Sequence, residues 1–318
     1  MLDLEGNEQV VGFFSYKGGV GRTVTLCNVS LALLQRMFEE TSAPHGILSV
    51  EFDLAAPGIL PILGVEARRS EIFQPLLMND FIQEDSIKDE CVQLYINDQE
   101  IPLYIFAENK PESDAIEMAN KIFGKGGPKG DMTAAIRYLR NRGRADFQAP
   151  FTFLDLGSGY GALASHVFSK LDHLVLTIRG DRQHRHSLPS LLEGFEEVFE
   201  FEHRPSVHVL LNQIPDDWMS DENPDFQQFM KDSGLGAFLA HEGDESGVEQ
   251  QRTLQKVPLI KSALTHETVL LPESWTFGNG EDENVQIRVA EGDDEVALRD
   301  ATWAIAGSIL GKDNDGGE

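Results

Sequence analysis

Seven consecutive residues, Lys17-Gly18-Gly19-Val20-Gly21-Arg22-Thr23, gather the groups with which a peptide can hold a polyphosphate. The glycines let the backbone bend until several N–H groups point inward at anionic oxygens. A helix beginning directly after the loop adds partial positive charge at the same place. Thr23 offers a hydroxyl where Mg²⁺ lies against the β- and γ-phosphates. The expected contacts to a nucleotide come from Gly18, Gly19, Val20, Gly21, Arg22, Thr23 and Val24. A glycine turn that merely joins a strand to a helix is the competing reading, so the flanking elements decide.

Those elements suit a phosphate loop. Gln9–Ser15 (QVVGFFS) reads as a buried strand. Over 23–38, Val24, Cys27, Leu31, Leu34 and Phe38 recur at spacings of three or four, which predicts a helix with one apolar face. A second strand follows at 46–53. Strand, loop, helix and strand in that order make a βαβ unit and imply a parallel sheet. Further strands are expected at 101–107, 151–156, 173–178, 207–211 and 256–260, and helices at 68–89, 132–141, 188–199 and 297–310. The stretches 214–225, 240–251 and 278–292 read as acidic loops. The fold class is α/β, a doubly wound, mostly parallel sheet flanked by helices. The 318 residues are expected to form one domain, with an insertion at 64–100 and a less regular acidic part at 213–318.

KGGVGRT resembles the deviant Walker A loop of the ParA/MinD/ArsA ATPases, and most closely their KGGVGR-type variants. The resemblance spans about 9–212 and implies a P-loop NTPase fold of the SIMIBI kind with ATP and Mg²⁺ as cofactors. It assigns Lys17 to the signature lysine that reaches a partner subunit's nucleotide across a dimer interface. Arg22 stands where the ordinary P-loop lysine would be. An arginine is longer, planar and forked; it can clamp two phosphate oxygens but does not copy a compact ammonium. Tyr16 occupies the place of the first glycine of the general pattern. In Val50-Glu51-Phe52-Asp53-Leu54-Ala55-Ala56-Pro57-Gly58, Asp53 matches the carboxylate that aligns the attacking water, Glu51 stands where an aspartate is common, and Ala55 replaces a glutamate. Asp155, at the end of Phe153-Leu154-Asp155, resembles a Walker B aspartate that holds Mg²⁺ through a water. The run from Asp155 to Gly161 also fits a methyltransferase-like glycine loop, which would leave KGGVGRT without a role. Asn212 closes a late strand; it either reads the adenine edge or forms a turn before Pro215.

Composition narrows the partners. The net charge of −27 repels nucleic-acid phosphates and anionic lipid, so membrane and nucleic-acid binding are not expected from the surface as a whole. The exception is the local basic segment 121–144. Two cysteines, Cys27 and Cys91, cannot build a CxxC metal site, and Cys27 is expected in the core. His184 and His186 lack an evident third metal ligand. The start of the chain lacks the order of a signal peptide and its last residues are polar, so a cytoplasmic protein is expected. The combined expectation is an Mg-ATP-binding and hydrolysing enzyme that dimerises with ATP and switches a partner protein, within a bacterial multi-gene, defence-type system as the resemblance implies. An ATP-holding module with little hydrolysis, or a ligase or kinase on the same scaffold, are the alternatives.

Overall fold

The structure is a computed structural model that describes residues 8–53, 58–63, 91–96, 99–106, 132–158, 167–201, 205–240, 252–258, 269–271, 275–277, 287–289 and 293–311. Its elements run β1 (Gln9–Ser15), α1 (Arg22–Thr41), β2 (Ile47–Glu51), α2 (Ile59–Ile62), β3 (Cys91–Ile96), β4 (Gln99–Phe106), α3 (Met132–Phe147), β5 (Phe151–Ser158), β6 (His173–Arg179) and α4 (Arg182–Phe201). They continue with β7 (Ser206–Ile214), a 3₁₀ turn (Asp216–Met219), α5 (Pro224–Asp232), α6 (Leu235–Leu239), β8 (Arg252–Pro258), β9 (Val269–Leu271), β10 (Trp275–Phe277), β11 (Ile287–Val289) and α7 (Asp293–Ile309).

One sheet runs in the order β10-β3-β4-β2-β5-β1-β6-β7-β8. From β4 to β8 its neighbours are parallel, while β3 and β10 are added antiparallel at one edge. From β1 the chain moves to one side, and from β5 it crosses to the other. The strand order therefore reverses at β1, where open α/β sheets bind ligands beyond the strand ends. The fold class read from the sequence is the one found.

Both faces of the sheet are covered, which explains why its central strands are nearly unbroken apolar runs. Val11 and Phe13 of β1 join a core with α1, α2 and α7. Val10 and Phe14 join a second core with α3, α4, α5 and α6. In the second, Phe14, Phe168 and Phe195 meet edge to face at 4.9–5.9 Å. Each ring buried this completely contributes about 1.5–3 kcal/mol.

Differences from the expected elements have local causes. Helix α1 runs from 22 to 41 and is buried on more than one face, because α7, which also packs on β8, lies against it. Arg36 of α1 stacks over Trp303 of α7 at 4.5 Å. Helix α4 begins at 182 rather than 188: Asp181 Oδ1 accepts the His184 N–H at 2.9 Å and caps a polar first turn. Helix α5 begins at the edge of an expected loop, with Asn223 accepting from Asp225 and Phe226 N–H ahead of Pro224. Part of the expected insertion, 91–96, is strand β3 of the main sheet, and part of the expected loop 278–292 is β11, paired with β9. The helix expected at 68–89 and the loop 241–251 lie outside the described residues, as does 121–131 of the basic segment. Among the described residues no helix is long and apolar enough to cross a membrane.

Candidate functional site

The sheet brings the ends of β1, β2, β5 and β7 to one edge. Strand β1 stops at Ser15, and the loop reaches α1 through Gly19 (φ 75°) and Gly21 (φ 83°). At Gly21 a side chain is excluded twice, by the left-handed backbone and by Asn212 Nδ2, which would lie 2.8 Å from a Cβ. Asn212 braces the loop. Its Nδ2 donates to the Val20 carbonyl at 3.0 Å, and its Oδ1 accepts the Gln213 N–H at 3.0 Å. It lies within β7, which removes the turn reading of this residue. Just after it, Gln213 adopts φ 54° and the β7–β8 register shifts between Leu211 and Ile214. This irregularity at the strand end accompanies the aiming of Asn212 at the loop.

Arg22, the first residue of α1, is buried at 7% exposure and gathers the acidic strand ends. Its Nη2 donates to Asp53 Oδ2 at 2.7 Å, and its Nε donates to Asp155 Oδ1. Longer contacts reach Ser15 Oγ (3.4 Å) and Thr23 Oγ1 (3.5 Å). Residues 31 and 133 positions away in sequence thus meet on one guanidinium. Asp155 is fully buried, and among the described residues its Oδ2 makes no hydrogen bond of good geometry. Gly157 (φ 74°) passes so close to Asp53 that a Cβ would stand 3.3 Å from the Asp53 carboxyl carbon.

Behind this pair lies Glu51, also fully buried. Its Oε2 accepts the N–H groups of Gly58 (2.7 Å) and Ile59 (2.9 Å), and its Oε1 accepts that of Asp53 (3.2 Å). Glu51 therefore clasps both ends of the segment between Asp53 and Gly58. Burial, and then the charge of Asp155, push its pKa well up, against the pull of the Ile59 and Gly58 N–H groups. Burial also raises Asp155, opposed by Arg22 and the Thr23 hydroxyl. Burial disfavours a charged Arg22, yet Asp155 and Asp53 outweigh it and its pKa is raised. Cys27, in the core as expected, has a thiol pushed well up by burial, then by Asp155 and Glu51.

The acidic excess around Arg22 suits a divalent cation. Mg²⁺ bound with a nucleotide needs only one or two carboxylates plus phosphates. Thr23 Oγ1 and Asp155 Oδ2 are donors of the right kind. Among the described residues no group of three or more His, Cys, Asp and Glu could hold a metal by itself. Lys17 lies at the loop's outer side, its Nζ donating to Gln183 Oε1 of α4 at 3.1 Å. In the basic segment, Arg140 donates to the Glu8 carbonyl and lies 3.6 Å from Asp172, and the exposed Arg144 pairs with the Glu8 carboxylate.

The sequence does not show three roles around the loop, although Glu51 is singled out by its motif position. Ser15 donates to the Lys17 carbonyl at 3.0 Å, Glu51 acts as a clasp, and Gln183 holds Lys17. Only Glu51 carried a signal, since a charge two places before Asp53 in an apolar strand must find partners once buried.

No protein-family model matches the sequence, and no curated protein matches it. Solved structures do share its fold. An ATP complex of a McdA variant from Cyanothece is 12% identical over 96% of this chain and 97% of its own, with a TM-score of 0.57. The MinC:MinD cell division protein complex of Aquifex aeolicus is 12% identical over 98% of each chain, with a TM-score of 0.54. Cobyrinic acid a,c-diamide synthase of Mycobacterium smegmatis, with a bound ATP analog and magnesium, is 13% identical over 95% of each chain, with a TM-score of 0.53. The likeness is one of fold, and it is shared by cell-division ATPase and synthase alike.

Proposed function

We propose that this chain is an Mg-ATP-binding, ATP-hydrolysing enzyme of the ParA/MinD kind, a single domain over 1–318 that dimerises with ATP and switches a partner protein. One observation carries the reading: a glycine loop between β1 and α1 whose exit residues, Arg22 and Thr23, face Asp53 and Asp155. The amides of Gly18 to Val24 bind the phosphates. Thr23 and Asp155 hold Mg²⁺, Asp155 through a water, and the ion when bound supplies charge neutralisation at the phosphates. Asp53 orients the water in line, Arg22 turns to the phosphates, and Lys17 completes the site of a second copy. Asn212, already braced on Val20, lies at the strand end from which its remaining amide capacity reaches the base. ATP in the McdA neighbour, an ATP analog with magnesium in the synthase and MinC on MinD support nucleotide, metal and partner in turn. A cytoplasmic setting and a place in a bacterial multi-gene, defence-type system belong to the same proposal.

Calorimetry with ATP, ADP and GTP, with and without Mg²⁺, tests it together with phosphate release and molecular mass. Heat with adenine nucleotides in Mg²⁺, turnover, and a doubled mass with Mg-ATP are expected; no heat with any nucleotide ends the reading. A second reading, ATP held but barely cleaved, is favoured by the grip of Arg22 on Asp53. Asp53→Ala separates the two: phosphate release that does not change removes the water-orienting role. A ligase on this scaffold is the third reading, since the synthase shares the fold; phosphate release without any added acceptor argues against it.

A further inference from the structure

We propose that Arg22 is an internal counter-cation that changes places with the divalent metal, so that metal and nucleotide can only load together. The proposal rests on the Mg-nucleotide reading above. One guanidinium hydrogen-bonds all three side chains assigned to metal and water: Asp155 through Nε, Asp53 through Nη2 at 2.7 Å and Thr23 through Nη2 at 3.5 Å. The fork of an arginine makes this possible; an ammonium is a point charge without fixed divergent donors. A guanidinium and a divalent ion cannot share these carboxylates. At a buried site their repulsion over a few ångströms is only weakly screened. Metal entry therefore needs Arg22 to leave, and a buried guanidinium leaves only for another anion. The phosphates of a nucleotide, cradled by the loop and helix start in which Arg22 itself lies, are that anion. Bound nucleotide thus draws Arg22 off the carboxylates and opens them to the metal, and by linkage the metal raises nucleotide affinity by the same factor. Glu51 stays behind in both arrangements, its oxygens occupied by the N–H groups of Asp53, Gly58 and Ile59.

The test uses the full chain and Mn²⁺ as the probe, with free Mn²⁺ read by electron paramagnetic resonance. Without nucleotide, Arg22→Gln is expected to bind Mn²⁺ about tenfold more tightly than the natural chain, and Arg22→Gln with Asp155→Asn to lose that gain. ADP is expected to raise Mn²⁺ affinity in the natural chain and to raise it less in Arg22→Gln. Equal Mn²⁺ affinities in the two nucleotide-free proteins overturn the exchange. Calorimetry of ADP on the same samples tells the two failures apart. If ADP still binds, the exchange alone is wrong; if it does not bind to the natural chain, the nucleotide site falls with it. Should Arg22→Gln not fold, the natural chain decides by nitrogen-15 NMR of the arginine Nε–H groups. The Arg22 resonance, assigned by its loss in Arg22→Lys, is expected to exchange slowly with solvent and to shift and lose protection on Mg-ADP. A resonance unmoved by saturating Mg-ADP overturns the proposal.

Discussion

The two ends of strand β1 bury polar groups in opposite ways. At its start, His173 Nε2 lies 3.0 Å from Gln9 Oε1 and His173 Nδ1 lies 3.1 Å from His208 Nε2, with the imidazoles stacked at 5.3 Å. Burial depresses His173 to about 4 and His208 to about 3, so both rings are neutral at physiological pH. Neutral rings fit one run of donors, His208 to His173 and His173 to Gln9, which leaves the buried His208 Nδ1 without a hydrogen bond among the described residues. At its other end, β1 leads to Arg22 and the carboxylates of Asp53 and Asp155 paired with it, an ion network rather than neutral rings. Neutral rings close the first end without a buried charge, and buried ions cost more than well-packed apolar groups. A cluster of paired ions at the edge where strand order reverses therefore points to a task other than folding.

The largest expected effect breaks the charged end. Arg22→Gln leaves Asp155 buried without its counter-charge and should cost about 3–5 kcal/mol of stability. Adding Asp155→Asn should restore a large part, because the unpaired charge is then gone. Urea unfolding of the two variants measures this. A cost below about 1 kcal/mol for the single variant would mean that the ion pair is solvated, as surface pairs are.

The next effect separates the ends by pH. Below about 6.5 an unfolded chain protonates both histidines, while the folded rings stay neutral down to about 4 and 3. The stability they contribute is present above pH 6.5 and is lost as pH falls, by about 1.4 kcal/mol per pH unit for each ring. Glu51 and Asp155 work in the opposite sense. Their raised pKa values mean that the folded state keeps protons above the ordinary carboxylate range, so their contribution is present at low pH and is lost as pH rises through the raised values. His208→Leu should flatten the slope of unfolding free energy between pH 6.5 and 4.5, and Glu51→Gln should leave that slope steeper. An unchanged slope in His208→Leu rules out neutral buried rings.

A smaller effect concerns the brace between strand and loop. Asn212→Ala removes the donor to the Val20 carbonyl and should cost about 1–2 kcal/mol. Its consequence for nucleotide should be larger than for stability, since a loosened loop must be ordered again on binding. Calorimetry with ADP at matched folded fraction checks this.

What could be read in advance divides along physical lines. Strands β1, β5, β6 and β7 are legible because burial on both faces makes them continuous apolar runs. The loop is legible because its glycines and Thr23 act through local spacing. The partners of Arg22 are not, since Asp155 lies 133 residues away and only the sheet order brings it near. The first turn of α4 stays hidden behind Pro189 and a polar run, because its start depends on one cap from Asp181. Strand β3 stays hidden for another reason: it joins an edge, where an antiparallel hairpin carries a weaker pattern than a buried central strand.

The smallest expected change in stability falls at Lys17. Among the described residues its ammonium makes one exposed hydrogen bond, to Gln183. Lys17→Ala should therefore move unfolding free energy by no more than about 0.5 kcal/mol. This sets it apart from Arg22, five residues on, whose charge is buried and paired. If Lys17 serves a second copy of the chain, its loss should show only when two copies meet. Mg-ADP calorimetry on the monomer should then be nearly unchanged, while the mass increase with Mg-ATP disappears. A Lys17→Ala protein that still doubles its mass with Mg-ATP removes the cross-subunit role and leaves Lys17 as a tether of the loop to α4. A variant that loses nucleotide binding altogether places the ammonium on its own subunit's phosphates, and the contrast between the two cations would then be one of position in the loop rather than of partner.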